Sequence, residues 1–137
     1  MPKKILIVDD DLAFRSGLAL RLRAHGFTVV FAADGASAVS AARREVPDVI
    51  LLDLGLPGGD GFVVMDRLRQ LMAVASTPII VISARPIEPN EARVLAAGAH
   101  VFIQKPPDNA RLLAAINEVL GLSSPEGSGP DSEVRRS

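Results

Sequence analysis

Aspartates are the residues of this chain whose spacing first suggests chemistry. Three stand together as Asp9-Asp10-Asp11, and a fourth, Asp53, directly follows an apolar run. Carboxylates held close together repel one another unless one is protonated or a cation lies between them. An all-oxygen set of ligands favours a hard divalent cation, Mg²⁺ before the transition metals. We therefore expect Asp9, Asp10 and Asp53 to hold Mg²⁺, and Asp11 to cap the helix that follows.

Asp53, Ser83 and Lys105 together suggest chemistry on phosphorus. An aspartate at a strand end beside a metal can act as a nucleophile and form an aspartyl phosphate. Phosphoryl transfer is catalysed by positioning and by neutralising charge on the equatorial oxygens, so Lys105 would supply an ammonium and Ser83 a hydroxyl. Each residue, taken singly, is also compatible with an ordinary turn or a solvated side chain. Their joint placement after separate strands favours the chemical interpretation.

Five short apolar runs would position these residues. They are rich in β-branched residues, do not alternate with polar ones and are about five residues long, which is typical of strands covered on both faces. They occupy 5–8, 27–31, 49–52, 79–82 and 101–103. Helical spacing between the runs, such as that of Phe14, Leu18 and Leu22, completes an alternating order of strands and helices. The pattern predicts an α/β fold, a doubly wound (βα)5 domain with a parallel five-stranded sheet.

The predicted strands differ in the residues at their carboxyl ends. Polar candidates lie directly after the first, third, fourth and fifth strands, whereas the second ends in Ala32-Ala33. Ligands of open parallel sheets bind at the carboxyl ends of the strands, where the strand order reverses. A strand without a site group should therefore lie outside that crevice. The flavodoxin-like order 2-1-3-4-5 satisfies this condition.

Composition excludes several classes of function. The 137 residues carry 15 Lys and Arg against 16 Asp and Glu, a formal net charge of −1, which gives no footprint for nucleic acid or anionic membrane. The lack of cysteine excludes disulfide frameworks, thiol chemistry and cysteine-ligated metals. No apolar run approaches the length of a signal peptide or a membrane span. We expect a cytoplasmic protein, with a folded domain at 1–121 and a flexible tail, rich in Ser, Pro and Gly, at 122–137.

Five short motifs occur in a characteristic order and spacing. They are ILIVDDD at 5–11, LDLGLPG at 52–58, Ser83-Ala84, AGA at 97–99 and Lys105-Pro106. With these motifs the chain resembles the receiver domain of bacterial response regulators, the two-component signalling fold typified by the chemotaxis regulator. The resemblance extends from Lys3 to about Gly121, which is nearly all of the predicted domain.

The resemblance implies a role for each candidate residue. Asp53 would be the phospho-acceptor, and Asp9 and Asp10 the acidic pair that holds Mg²⁺. The backbone carbonyl of Gly55 would be a further ligand of the ion. Lys105 would be the lysine that binds the phosphoryl oxygens. Ser83 would be the switch hydroxyl and Phe102 the switch aromatic, the two residues that change position when such a domain is phosphorylated. The Lys105–Pro106 bond is expected to be cis in such domains.

The implied function is that of a signalling domain rather than an enzyme, with self-catalysed phosphorylation and dephosphorylation. The phosphoryl group would come from a phosphohistidine on a sensor histidine kinase or a histidine phosphotransfer protein, in a reaction that depends on Mg²⁺. Output to a downstream protein is expected on the face formed by the fourth helix, fifth strand and fifth helix. A phosphorylation-dependent homodimer through that face stays open, and no direct contact with nucleic acid or membrane is expected.

Two alternatives belong to other classes of protein. A degenerate receiver would act as a phosphorylation-independent interaction module, but it should lack the acceptor, the acidic pair, the hydroxyl or the lysine, and this sequence has all of them. An aspartate-nucleophile phosphatase of the haloacid-dehalogenase kind would carry its nucleophile after the first strand and would have a cap domain. Here the candidate nucleophile follows the third strand, and the chain is too short for a cap.

Overall fold

The computed structural model describes residues 2–56 and 61–122, and within them five strands and five α-helices alternate. The strands are β1 (Lys4–Val8), β2 (Thr28–Ala32), β3 (Val49–Leu52), β4 (Ile79–Ser83) and β5 (Val101–Gln104). The helices are α1 (Leu12–Ala24), α2 (Gly35–Glu45), α3 (Gly61–Gln70), α4 (Glu91–Ala96) and α5 (Asn109–Leu120). A short 3-10 turn, Met72–Val74, follows α3. Apart from Leu122, the expected tail lies outside the described residues.

The strands form one parallel sheet in the order β2-β1-β3-β4-β5, which confirms the predicted doubly wound, flavodoxin-like α/β fold. The three central strands, β1, β3 and β4, are buried on both faces because successive side chains point to opposite layers, whereas the edge strands β2 and β5 are partly exposed. In β1, Leu6 and Val8 belong to the layer under α2, α3 and α4, whereas Ile5 and Ile7 belong to the layer under α1 and α5. This double burial explains why the strand sequences do not alternate.

The ends of the helices follow local rules that the sequence indicates. The carboxylates of Asp11, Asp34 and Asp108 each accept a hydrogen bond from a backbone N–H in the first turn of the next helix, which confirms Asp11 as a cap. Glycines with positive φ follow α1, α4 and α5. Helix α2 is followed instead by Val46, a residue other than glycine that has a positive φ of 46°. No helix among the described residues is long and apolar enough to cross a bilayer.

One arginine, Arg69, stabilises the edge of the sheet at the amino ends of the strands. Arg69, near the end of α3, donates hydrogen bonds to the carbonyl oxygens of Ala75, Thr77 and Gly98 at 3.0, 2.8 and 2.8 Å. These acceptors lie on the loops that lead into β4 and β5. A single guanidinium therefore satisfies three carbonyl groups on two loops, which its planar fork of donors makes feasible.

At the opposite edge, a close backbone approach joins α3 to the end of β3. A Cβ atom at Gly61 would lie 2.6 Å from the Leu54 Cα atom and 3.0 Å from the Asp53 carbonyl oxygen. Both neighbours are backbone atoms, which cannot swing aside as a side chain can. Gly61 is therefore the residue that lets α3 begin directly against the segment that carries Asp53.

Alanine substitutions at two helical glycines should have opposite effects on stability. The Gly61→Ala variant should lose about 2 kcal/mol of unfolding free energy, because its methyl group displaces backbone. The Gly17→Ala variant, whose Cβ would meet only Arg21 Nη1 at 4.0 Å inside α1, should gain roughly 0.5–1 kcal/mol from helix propensity. Urea unfolding of both variants measures the difference, and equal shifts in the two would contradict it.

Candidate functional site

The carboxyl ends of β1 and β3 bring Asp9 and Asp53 side by side. The backbone ladder continues one residue beyond each strand, since the Asp9 N–H donates to the Ala32 carbonyl at 3.0 Å and the Asp53 N–H donates to the Val8 carbonyl at 3.0 Å. One carboxylate oxygen each from Asp9, Asp10 and Asp53 lie within 4.8 Å of one another. Asp9 is buried, Asp53 is partly buried and Asp10 is exposed. The predicted juxtaposition of these three carboxylates is present.

Lys105 brings a positive charge into the same cluster. Its Nζ atom lies 2.7 Å from Asp9 Oδ2 and 3.5 Å from Asp53 Oδ2. Its backbone N–H donates to the Ser83 carbonyl at 2.8 Å, and the bond to Pro106 is cis, as expected. Desolvation acts to lower the pKa of Lys105, but the hydrogen bond to Asp9 and the negative charges of Asp53 and Asp9 outweigh it, so the pKa is raised. The ammonium is therefore charged at neutral pH.

Ser83 occupies the end of β4, on the same edge of the sheet. Its side chain is buried, and its Oγ atom accepts a hydrogen bond of 3.3 Å from the Arg85 N–H in the loop that follows β4. Ser83 also pairs in register with Gln104, the residue before Lys105. The Ser83 hydroxyl is thus linked directly to the β4–α4 loop by this hydrogen bond.

Gly55 and Phe102 border the cluster in different ways. The Gly55 N–H donates to Asp53 Oδ1 at 3.2 Å, and a Cβ atom at Gly55 would lie 4.0 Å from both carboxylate oxygens of Asp53. Phe102 pairs with Val81 and is buried in the layer under α2, α3 and α4. Its ring is therefore part of the core beside the site. Residues 57–60, which include the end of the LDLGLPG motif, lie outside the described residues.

Two residues of α1, Phe14 and Arg15, contact the cluster, and the sequence analysis did not predict either contact. Arg15 Nη1 donates to the Asp9 carbonyl oxygen at 2.9 Å, and its guanidinium lies 5.5 Å from the centre of the Phe31 ring. The Phe14 ring centre lies 4.4 Å from Lys105 Nζ. Phe14 was predicted only as part of the apolar stripe of α1. The available signal was its position, one helical turn after Asp11.

The donor set fits a hard divalent cation. Every side chain that could bind a metal in the cluster is a carboxylate, and oxygen is the ligand that Mg²⁺ prefers. Asp9 Oδ1 also accepts a hydrogen bond of 2.9 Å from the Asp11 N–H, which fixes this carboxylate in place. The cluster therefore combines a fixed buried carboxylate, an exposed one and a third that is partly exposed.

Comparison with known proteins gives a consistent family assignment. Residues 5–117 match the family model described as the response regulator receiver domain. Protein PilH of Pseudomonas aeruginosa is 35% identical over 117 residues, which are 85% of this chain and 97% of PilH. The response regulator MprA of Mycobacterium sp. (strain KMS) is 37% identical over 132 residues, which are 96% of this chain but 56% of MprA. The chain thus spans about half the length of several curated relatives that it matches.

Solved structures share the same fold. A putative response regulator from Chloroflexus aurantiacus has a TM-score of 0.83 at 31% identity, covering 88% of this chain and 99% of that one. The BeF3-activated receiver domain of Klebsiella pneumoniae RstA has a TM-score of 0.79 at 34% identity, covering 85% and 97%. The family match runs from β1 into α5 and so includes the whole charged edge of the sheet. The chain belongs to the response regulator receiver domain family, the signalling domains of two-component systems.

Proposed function

We propose that this domain accepts a phosphoryl group on Asp53 from a phosphohistidine, carried by a sensor histidine kinase or a histidine phosphotransfer protein. The observation that supports the proposal most directly is the position of the Lys105 ammonium between Asp9 and Asp53, 2.7 and 3.5 Å from their oxygens. A cation in this place can neutralise negative charge on an incoming phosphoryl group without having to be recruited first.

The reaction is a displacement at phosphorus. A carboxylate oxygen of Asp53 attacks, a P–O bond forms and the P–N bond of the phosphohistidine breaks. The electron pair of the P–N bond goes to the imidazole nitrogen, and the imidazole leaves neutral because its other nitrogen keeps a proton. Attack of water on the aspartyl phosphate later returns the carboxylate and inorganic phosphate. Both steps use this chain's own groups, so the domain catalyses its own phosphorylation and dephosphorylation.

Asp9, Asp10, Asp53 and the backbone carbonyl of Gly55 would hold Mg²⁺. When bound, the ion supplies positive charge to one oxygen of the phosphoryl group. Lys105 neutralises a second oxygen, and its own charge is kept by the two carboxylates beside it. The Ser83 hydroxyl donates to a third oxygen. Together these groups would cover the three oxygens of the transferred group, which is the electrostatic requirement of phosphoryl transfer.

The Ser83 hydroxyl would also carry the signal away from the site. Its Oγ atom accepts a hydrogen bond from the Arg85 N–H, so movement of Ser83 toward a phosphoryl oxygen would pull on the β4–α4 loop. Phe102 lies on the neighbouring strand and would fill space that this loop leaves. A local change of charge would thus bias the face formed by α4, β5 and α5. We propose this face as the contact for a downstream protein or for a second phosphorylated copy.

Asp53→Asn should abolish acceptance of a phosphoryl group. We expect the wild-type protein, incubated with acetyl phosphate and Mg²⁺, to gain the mass of one phosphoryl group. The variant should gain none, because its neutral amide is a far weaker nucleophile than a carboxylate. Intact-mass spectrometry makes the measurement, with an EDTA-treated wild-type sample as the metal control. No adduct on the wild type, or an equal adduct on both proteins, would overturn the proposal.

Removal of the ammonium should make stability depend on the metal. In a Lys105→Met variant the Asp9 side chain, only 3% exposed, loses its ion pair, so the unfolding free energy in EDTA should fall by about 2 kcal/mol. Mg²⁺ should then stabilise the variant more than the wild type, because no ammonium competes for the carboxylates. Urea unfolding with and without Mg²⁺ tests this, with the exposed Lys3→Met as a matched control. The same response to Mg²⁺ in both variants would refute it.

A further inference from the structure

The ring of Phe14 lies against the ammonium of the site lysine, Lys105. An ammonium has three N–H donors. Two carboxylate oxygens lie near Lys105 Nζ, Asp9 Oδ2 at 2.7 Å and Asp53 Oδ2 at 3.5 Å. The third group that the structure places against this ammonium is the Phe14 ring, with its centre at 4.4 Å. The face of a phenyl ring carries negative charge density, so this contact attracts a cation.

The surroundings of the Lys105 ammonium are largely shielded from solvent. Its neighbours Phe14, Asp9 and Asp53 border a small pocket whose other lining side chains, from α1, β1, β3 and β4, are apolar. The Lys105 side chain is only 18% exposed. A cation–π contact is stronger where the cation has lost water, because hydration no longer competes with the ring.

Phe14 is tied to the acidic residues through the backbone of α1. Its N–H donates to Asp11 Oδ1 at 3.1 Å, and the next residue, Arg15, donates to the Asp9 carbonyl at 2.9 Å. The ring itself packs against the layer under α1 and α5. The position of the ring is therefore coupled to the loop that carries Asp9 and Asp10.

We propose that Phe14 is a positioning residue for phosphoryl transfer, whose ring face holds the Lys105 ammonium in reach of Asp53. This inference rests on the proposed role of Asp53 as acceptor. An ammonium that is already placed loses less freedom when the phosphoryl oxygens arrive, so the transition state is reached more often. A residue that served only to fill the core would act through its volume alone, and the electron density of its ring would be irrelevant.

The test varies the electron density of the ring at nearly constant volume. Phe14 is replaced singly by 4-fluoro-, 3,5-difluoro- and 3,4,5-trifluorophenylalanine, and the rate of adduct formation from acetyl phosphate and Mg²⁺ is measured by intact mass. We expect the rate to fall stepwise, by about threefold to fivefold over the series, the equivalent of one cation–π contact. The midpoint of thermal unfolding should fall by no more than a few degrees, the shift that loss of one such contact causes. Phe14→Tyr, which keeps the ring face, should retain the rate that Phe14→Leu loses.

The same three substitutions at Phe27 provide the matched control. Phe27 is also partly buried and packs against the same apolar layer. Its series should show a constant rate, and a parallel fall there would refute a specific role for Phe14. A constant rate across the Phe14 series, with a normal adduct on the unsubstituted protein, would overturn the positioning role and leave the role of Asp53 intact. Absence of any adduct on the unsubstituted protein would instead overturn the proposed function itself.

Discussion

Repulsion among carboxylates is the constraint on which the rest of this domain depends. Asp9, Asp10 and Asp53 have oxygens within 4.8 Å of one another, and Asp9 is buried. Such a group of ionised carboxylates is stable only if positive charge is brought to it. The chain supplies that charge from Lys105, which follows the last strand. The fold must therefore bring the ends of β1, β3 and β5 to one place, and the order β2-β1-β3-β4-β5 does so.

The two layers of the core serve the site unequally. The layer under α1 and α5 brings α1 against the ends of β1 and β3, and with it come the ring near Lys105 and the guanidinium bound to the Asp9 carbonyl. The layer under α2, α3 and α4 contains Phe102. On this side of the sheet, α3 begins in close contact with the segment that carries Asp53. The layer under α1 and α5 thus organises the charged groups, and both layers reach the proposed output face, one through α5 and the other through α4. Both layers pack on the four-residue strand β3. The candidate site and the proposed output face are therefore connected through the same strand.

The strands, the sheet order and the meeting of carboxylates and lysine could be predicted because they follow from repeated local patterns. Apolar runs covered on both faces identify strands, and the residue after each run lies at the sheet edge. Strand ends shifted by one residue, as at Ser83 and Gln104, because the backbone ladder continues into polar residues. The left-handed Val46 was not predicted, since β-branched residues rarely adopt that conformation. The contact of Phe14 with Lys105 depends on a pairing distant in sequence, which no local pattern reveals.

The hydrogen bonds of Arg69 to two loops bear on how substitutions at different places in the domain would act. Its three hydrogen bonds to Ala75, Thr77 and Gly98 hold the edge of the sheet that carries no candidate site group. A change at Asp53 removes a carboxylate of the candidate site and leaves these hydrogen bonds intact. A change at Arg69 leaves three carbonyl groups without their donor, so it lowers the free energy of unfolding and leaves the charged groups of the site in place. Substitutions at the two edges of the sheet should therefore differ in kind, because one edge carries the reacting groups and the other carries hydrogen bonds that stabilise the loops.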